Sequence, residues 1–277
     1  MRQEAYFCTV KELDELGKNN IPRQLISHTH LIYSSPATLA FNSPGAEGFG
    51  VKRAGLAVPD SVMLIVSPGC CGRNTSVLSS MRAYQDRFYY LLMDETDIVT
   101  GRHLKKIPKA VAEICEGLKK KPSVVMICIT CVDALLGTDM ERVCHKAEEY
   151  AGVPVRPCYM YALTREGRKP PMVHVRQSVY SLLEPKKKKG NVVNLLGYFS
   201  PLTDDCELYD LLHGAGVKTI HEISRCKDYA QYQTMSEANF NLVLHPEARF
   251  AAEDFHDRLK IPYIELRRLY QIDKIAS

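Results

Sequence analysis

Short apolar runs alternate with amphipathic segments through the first half of the chain. The runs have the length and apolar content of buried strands, and they fall at 61–66, 89–93, 123–129 and 153–158. Apolar residues with helical spacing occupy 102–118 and 139–151, and a further helix is expected from about residue 75. This order of strand, loop and helix predicts a parallel, doubly wound sheet.

The same pattern restarts after a helix predicted at 173–183. Strands are predicted at 191–196, 217–223, 240–244 and 261–266, with helical segments between them. The sequence therefore predicts an α/β protein with two Rossmann-like, doubly wound parallel-sheet domains. The first domain covers 1–165, a helix and basic linker occupy 166–190, and the second covers 191–277, ending where a third domain would begin.

Three local segments are less regular. The polar segment 94–101 is predicted to be a loop. Pro108 falls inside the helical spacing of 102–118, which allows that helix to begin at the proline instead. Near the N-terminus, 11–17 has the pattern of one short helix ending at a glycine, in a stretch that is otherwise expected to be irregular up to residue 40.

The composition is that of an ordinary globular protein, with 277 residues, 45% hydrophobic and 25% charged. The chain has no apolar run of about 18 residues and no apolar N-terminal signal, so we expect no membrane span and a cytoplasmic location. The net charge is +4, and four lysines at 186–189 are expected to form a solvated linker. No aromatic-rich basic segment accompanies them, so nucleic acid is not an expected partner.

Ten cysteines in such a chain need an explanation, because structural disulfides are rare in the cytoplasm. Three of them, Cys115, Cys144 and Cys158, lie in apolar patterns and are expected in the core. His28 and His30 would form a metal pair on an extended segment, although a surface loop is the favoured interpretation.

Four further thiols stand where predicted strands end and helices begin. Cys70 and Cys71 follow the first strand, and Cys128 and Cys131 close the third. Ligands bind at this carboxyl edge in open α/β sheets. The spacing alone is compatible with a redox pair, half of a zinc site or an iron–sulfur cluster. The glycine-rich segment 42–50 is expected to be a loop, and it lacks the features of a nucleotide site.

Several segments resemble the nitrogenase component 1 family in their order and spacing. In the first half they are a cysteine-glycine turn within 65–76, Asp-Ile-Val-Thr-Gly at 97–101, a strand and Gly-Thr-Asp helix start within 125–139, and Val-Pro-Val at 153–155. In the second half the matching segments are 191–198, 239–244 and 261–265. The resemblance covers about 44–275 and implies the nitrogenase component 1 fold.

Carried over position by position, the resemblance implies that Cys71 and Cys131 are cluster ligands. Cys70 and Cys128 are neighbours with no clear counterpart in the family pattern. The expected cofactor is an iron–sulfur cluster of the 4Fe–4S type.

The sequence also departs from the family pattern. The family's first cluster cysteine would fall near 43–45, where this chain has none, so an oxygen of Ser43 or Glu47, or a partner's residue, would complete the site. The active-site cofactor cysteine would fall near Thr219, so no molybdenum cofactor is expected. Cys226 lies a few residues beyond, in a loop where ligands would be presented.

The resemblance implies an oxidoreductase subunit that holds the cluster and takes electrons from an ATP-dependent reductase similar to the nitrogenase iron protein. The alternative is a non-catalytic scaffold or carrier for cluster or cofactor assembly on the same fold. A plain α/β protein with core cysteines or zinc is a third interpretation. A homodimer, or a heterodimer with a related subunit, is expected, and two half-sites sharing one cluster across a two-fold axis is a hypothesis.

Overall fold

The computed structural model describes residues 9–17, 20, 50–69, 79–130, 132, 136–159 and 169–266. The described strands are β1 (Val62–Ser67), β2 (Phe88–Leu92), β3 (Val125–Ile129), β4 (Val155–Tyr159), β5 (Val192–Leu196), β6 (Thr219–His221), β7 (Phe240–Val243) and β8 (Tyr263–Glu265). The described α-helices are α1 (Val10–Leu16), α2 (Gly50–Gly55), α3 (Glu95–Thr100), α4 (His103–Gly117), α5 (Met140–Ala151), α6 (Pro171–Tyr180), α7 (Glu207–Gly214), α8 (Tyr229–Gln233) and α9 (Arg249–Leu259).

Within these residues the strands form two four-stranded parallel sheets. The first sheet has the order β2-β1-β3-β4, and the second has the order β6-β5-β7-β8. Each sheet therefore reverses its strand order once, between β1 and β3 and between β5 and β7. The predicted α/β class with two parallel sheets is confirmed, whereas the division at 1–165, 166–190 and 191–277 stays a prediction.

The first sheet is covered on both faces. Every residue of β1 and β3 is buried, because side chains on the two faces of these central strands meet different helices. Helices α4 and α5 pack on one face, around Leu64 and Ile127. Helices α2 and α6 pack on the other, around Met63 and Met126.

Helix α6 joins the two sheets into one core. Its Val175 and Val179 belong to the same buried cluster as Leu196 and Val243 of the second sheet. The Tyr180 ring meets Phe255 of α9 edge-on, with the ring centroids 5.3 Å apart. The relative position of the sheets is thus determined by side-chain packing as well as by the chain between them.

The segment 94–101 is a helix, not the predicted loop. The Asp94 side chain accepts a hydrogen bond from the Asp97 amide at 2.7 Å and so caps the first turn of α3. Gly101 ends the helix in a left-handed conformation with φ 65°. Asp97 is buried and pairs with Lys106 at 2.6 Å, and that ammonium group lowers the pKa of the carboxyl.

Pro108 does not start a helix. It lies inside α4, which begins at His103. The helix continues across the proline because Ile107, Val111 and Ile114 all pack on the first sheet. The short helix predicted at 11–17 is confirmed as α1.

The lysine run at 186–189 is exposed along most of its length, but its last two residues form hydrogen bonds with the second half of the chain. Lys188 donates from Nζ to the carbonyl of Ser236 at 2.6 Å. The Lys189 amide donates to the Glu237 carbonyl at 2.8 Å, and its ammonium group forms an ion pair with the Glu237 carboxylate. The segment predicted to be a solvated linker is therefore anchored to the second sheet's helices.

The burial predicted for Cys115, Cys144 and Cys158 is confirmed. His28 and His30 lie outside the described residues, as does most of 1–49. None of the described helices has the length and apolar character needed to cross a membrane.

His174 of α6 provides a pH test of the packing between α6 and the first sheet. Its ring meets Tyr159 edge-on at 4.3 Å, and burial lowers its pKa to about 4. Since the unfolded state binds a proton near pH 6.5, stability is expected to fall as the pH drops from 6.5 towards 4. Urea unfolding at pH 7 and pH 5 should show a loss about 2 kcal/mol larger in the wild type than in His174→Gln. An equal loss in both proteins would contradict this assignment.

Candidate functional site

The predicted cysteine loops leave the first sheet where its strand order reverses. Ser67 ends β1 three residues before Cys70, and Thr130 follows β3 directly before Cys131. The side-chain oxygens of Ser67 and Thr130 are fully buried and have no hydrogen-bond partner among the described residues. Two unsatisfied hydroxyls at a switch point are donors available to an acceptor bound there.

The predicted ligands themselves fall mostly outside the described residues: Cys70, Cys71, Cys131, Ser43 and Glu47. Within the described part, no group of three His, Cys, Asp or Glu side chains has a metal-binding arrangement.

Cys128 is described, and it lies inside the core. It is fully buried in β3, directly opposite Cys158 of β4. The hydrogen bond between the two thiols, together with burial, raises the pKa of Cys158 well above its usual range. The Cys158 thiol also donates to the carbonyl of Val51 at 3.4 Å. The Cys128 side chain thus packs beneath α2.

A second feature is a cleft of about 630 Å³ between α2 and the carboxyl edge of the second sheet, which we call the basic cleft. Its polar and aromatic wall includes Arg53, Tyr84, Arg87, Arg176, Phe199 and Lys227. The loops after β5 and β6 form one side. Carboxyl edges are the usual ligand-binding edges of parallel sheets.

The charge of the basic cleft is positive. Among its described lining residues, four carry a cationic side chain and Asp60 alone carries a carboxylate, which pairs with Lys120 at 2.8 Å. Arg87 donates to the carbonyls of Leu56, Val58 and Ser61 and to the Ser61 hydroxyl, and within the described ranges no carboxylate is bonded to it. The cleft therefore suits an anionic ligand.

Arg176 connects the elements around the cleft. Its guanidinium is buried and donates to the Gly197 carbonyl at 2.7 and 3.1 Å and to the Met172 carbonyl at 2.8 Å. It also pairs with Glu247 at 2.8 Å and lies 4.9 Å from the Phe199 ring centre. Burial lowers the pKa of Arg176, while Glu247 opposes that change and favours the charged form.

Sequence reasoning did not identify this set of arginines. The available signal was a charged residue, Arg176, between the apolar positions Val175 and Val179 of a predicted helix. Cys226, which the sequence placed in a ligand-presenting loop, does line the basic cleft.

The loop after β5 is held by the carboxylate of Glu222. This side chain is 6% exposed, and it accepts from the Leu202 amide at 3.0 Å, from the Tyr209 hydroxyl and from Arg225 Nε at 2.9 Å. Arg225 also donates to the Leu202 carbonyl at 2.7 Å. These bonds fix the loop that carries Phe199 into the cleft.

Glu222→Gln is expected to lower the unfolding free energy by about 2 kcal/mol, because an amide nitrogen would face donors that need an acceptor. Urea denaturation measures this loss. The matched control is Asp204→Asn, which removes the negative charge of a 90% exposed partner of Arg225 and should leave stability nearly unchanged. Equal effects of the two substitutions would show that Glu222 does not hold the loop.

The loops after β5 and β7 approach closely at the reversal point of the second sheet. Gly197 has φ 140°, and a Cβ atom there would lie 2.7 Å from the His245 amide nitrogen and 2.8 Å from its Cβ. Only glycine fits this crossing without moving the backbone.

Gly197→Ala is therefore expected to cost about 2 kcal/mol or more of unfolding free energy. Gly190→Ala is the control, because a Cβ atom at Gly190 meets no atom within 4 Å. It should change stability by less than about 0.5 kcal/mol in the same thermal or urea unfolding assay. A tolerated Gly197→Ala would mean that the two loops can separate.

Comparison with known proteins identifies relatives over most of the chain. A family model described as "Nitrogenase component 1 type Oxidoreductase" matches residues 47–277. The nitrogenase iron-molybdenum cofactor biosynthesis protein NifE of Nostoc sp. is 27% identical over 225 residues, covering 78% of this chain and 46% of the relative. NifE of Rhizobium meliloti is 27% identical over 224 residues, which cover 78% of this chain and 47% of that relative. The chain thus spans about half the length of these curated relatives.

A solved structure has the same fold. Nitrogenase Cp1 at pH 6.5 superposes with a TM-score of 0.60 at 17% identity, covering 82% of this chain and 55% of that one. Sequence identity at this level supports similarity of fold alone.

Proposed function

Because the chain belongs to the nitrogenase component 1 type oxidoreductase family, we propose that it is a non-catalytic scaffold that carries a metal–sulfur cluster or cofactor during its assembly. The family and the relatives imply metal–sulfur binding. The curated relatives named above are cofactor biosynthesis proteins, which favours the scaffold over the oxidoreductase that the sequence first indicated.

The observation that carries this proposal is the charge of the basic cleft. Metal–sulfur clusters with sulfide and thiolate ligands are anionic. Arg53, Arg87 and Lys227 present positive charge in the cleft, and no carboxylate of the described residues is bonded to them. A cation-lined cleft holds an anionic cargo by charge and hydrogen bonds, which are exchangeable. This suits a protein that must release what it binds.

The cysteine loops of the first sheet would hold a separate, resident iron–sulfur cluster. In this proposal Cys71 and Cys131 are its ligands, with Cys70, Ser43 and Glu47 as further candidates. The hydroxyls of Ser67 and Thr130, which have no partner among the described residues, fit such a group, because hydrogen bonds to cluster sulfurs tune its reduction potential. When bound, the cluster supplies one-electron chemistry.

Partners are also part of the proposal. A cytoplasmic homodimer or heterodimer with a related subunit would complete the resident cluster's ligand set, since the cysteine loops supply only two thiols that match the family pattern. An ATP-dependent reductase similar to the nitrogenase iron protein would supply electrons while the cargo matures.

Anaerobic protein loaded with ferrous iron and sulfide tests the scaffold. We expect it to transfer iron and sulfide to nitrogenase component 1 that lacks its cofactor, measured as metal content of the re-isolated acceptor. Arg53→Gln should reduce the cargo bound, because it removes an exposed cleft cation, whereas Arg142→Gln on α5 should not. Cys71→Ala and Cys131→Ala should lose resident iron but keep the transferable fraction.

Two outcomes would contradict the scaffold proposal. ATP-dependent substrate reduction by the loaded chain, without transfer to the acceptor, would support the oxidoreductase interpretation instead. Absence of iron from the anaerobically loaded wild type would reject both.

A further inference from the structure

Two buried cysteines of the first sheet form a pair that the proposed function does not use. Cys128 of β3 and Cys158 of β4 are register partners on adjacent parallel strands, and both are fully buried on the face that α2 covers. Adjacent strands lie about 4.8 Å apart, which falls within the range of about 4.4–6.8 Å between the Cα atoms of disulfide-bonded cysteines. This thiol pair therefore has the backbone spacing that a disulfide requires.

The short helix α2 packs against the thiol pair. The Cys158 thiol donates to the Val51 carbonyl of this helix at 3.4 Å. A Cβ atom at Gly55 would lie 3.2 Å from the Cys158 Sγ, so the helix backbone is in close contact with the thiol. The helix has only six residues, with a glycine at each end, and its Arg53 and Ala54 line the basic cleft. The thiol pair thus lies on the core side of a helix whose other side forms part of the cleft wall.

The closed position of α2 protects the thiol pair. The hydrogen bond with Cys128 and burial raise the pKa of Cys158 well above its usual range, although the buried ammonium group of Lys52 opposes this change. A thiol attacks an oxidant as the thiolate, so Cys158 is unreactive while α2 packs on it. Short surface elements open locally while the rest of a domain stays folded. When α2 opens, water reaches the thiol pair and this protection is lost.

We propose that Cys128 and Cys158 form a reversible disulfide when hydrogen peroxide reaches the opened thiol pair, and that this bond keeps α2 loosened. This step goes beyond the proposed scaffold function, because it needs no cargo. Both S–H bonds break and one Sγ–Sγ bond forms. The two protons and two electrons pass to one molecule of peroxide, whose O–O bond breaks to give two molecules of water. A dithiol such as dithiothreitol reverses the step by thiol–disulfide exchange and is itself oxidised to a disulfide.

The disulfide weakens the contact between the first sheet and α2. Its sulfur atoms carry no proton, so the donor to the Val51 carbonyl is lost. The Cys158 Sγ also moves towards Cys128 and away from the backbone at Gly55. A bond that forms in the open state and removes a contact of the closed state shifts the population towards the open state. Oxidation is therefore expected to displace the part of the cleft wall that carries Arg53.

Mass spectrometry of the wild type tests the disulfide without any substitution. Reduced, metal-free protein is treated with hydrogen peroxide, alkylated with N-ethylmaleimide in denaturant and digested. We expect a linked peptide pair that contains Cys128 and Cys158 and that disappears after treatment with dithiothreitol. Cys144, which is buried on the opposite face of the first sheet, should not enter such a link. Recovery of both cysteines in alkylated form, at a peroxide exposure that fully oxidises the partly exposed Cys206, would overturn the proposal.

Hydrogen exchange measures the effect of the disulfide on α2. Exchange of the amides at 51–56 is expected to be about tenfold faster in the oxidised wild type than in the reduced protein. The matched control Cys128→Ala cannot form the link, so peroxide should leave its exchange at 51–56 unchanged, and helix α5 should be unaffected in both proteins. If the disulfide forms while exchange at 51–56 stays constant, the proposed loosening of α2 is wrong. Neither measurement involves metal, so the scaffold function stands or fails independently of this result.

Discussion

The buried guanidinium of Arg176 is the interaction on which the arrangement of the two sheets depends. Arg176 extends from α6, which packs on the first sheet. It binds the carbonyl of Gly197, which follows β5, and the carboxylate of Glu247, which follows β7, so it contacts two loops of the second sheet. A buried charge is costly unless it is fully paired, so the elements must meet in one arrangement. The same side chain lines the basic cleft, which links the packing of the sheets to the shape of the proposed site.

The two sheets have the same topology, but the residues at their carboxyl edges differ. Both place a reversal of strand order at the carboxyl edge, where α/β proteins bind ligands. At the first reversal the described residues provide unsatisfied hydroxyls beside cysteine loops. At the second, the loops that carry Gly197 and His245 cross closely, and the basic cleft lies to one side, next to α2. A fold repeated twice thus yields one candidate site for a resident group and another for cargo.

Local hydrophobic patterns in the sequence were sufficient to predict the central strands of the fold. Central strands such as β1 and β3 were recognisable because both of their faces are buried, which makes them continuous apolar runs. Helix α3 was missed because its cap at Asp94 and its buried Asp97 resemble a polar loop when only composition is considered.

The site was less predictable because its contacts are distant in sequence. Arg176 meets partners 21 and 71 residues away, and no local pattern encodes such pairs. Cys128 was grouped with the loop thiols, yet the alternation of side chains along β3 turns it toward Cys158. The family resemblance implied the fold that surrounds both edges, but it did not identify these contacts.

The anchored lysines at the end of the linker have a mechanical consequence. Lys188 forms a hydrogen bond with Ser236 and Lys189 forms an ion pair with Glu237, so the segment that connects the two sheets is held against the second one. Together with the shared core, these contacts oppose a hinge motion between the two sheets that would change the width of the cleft. A cleft with such walls favours ligands whose size and negative charge already match it.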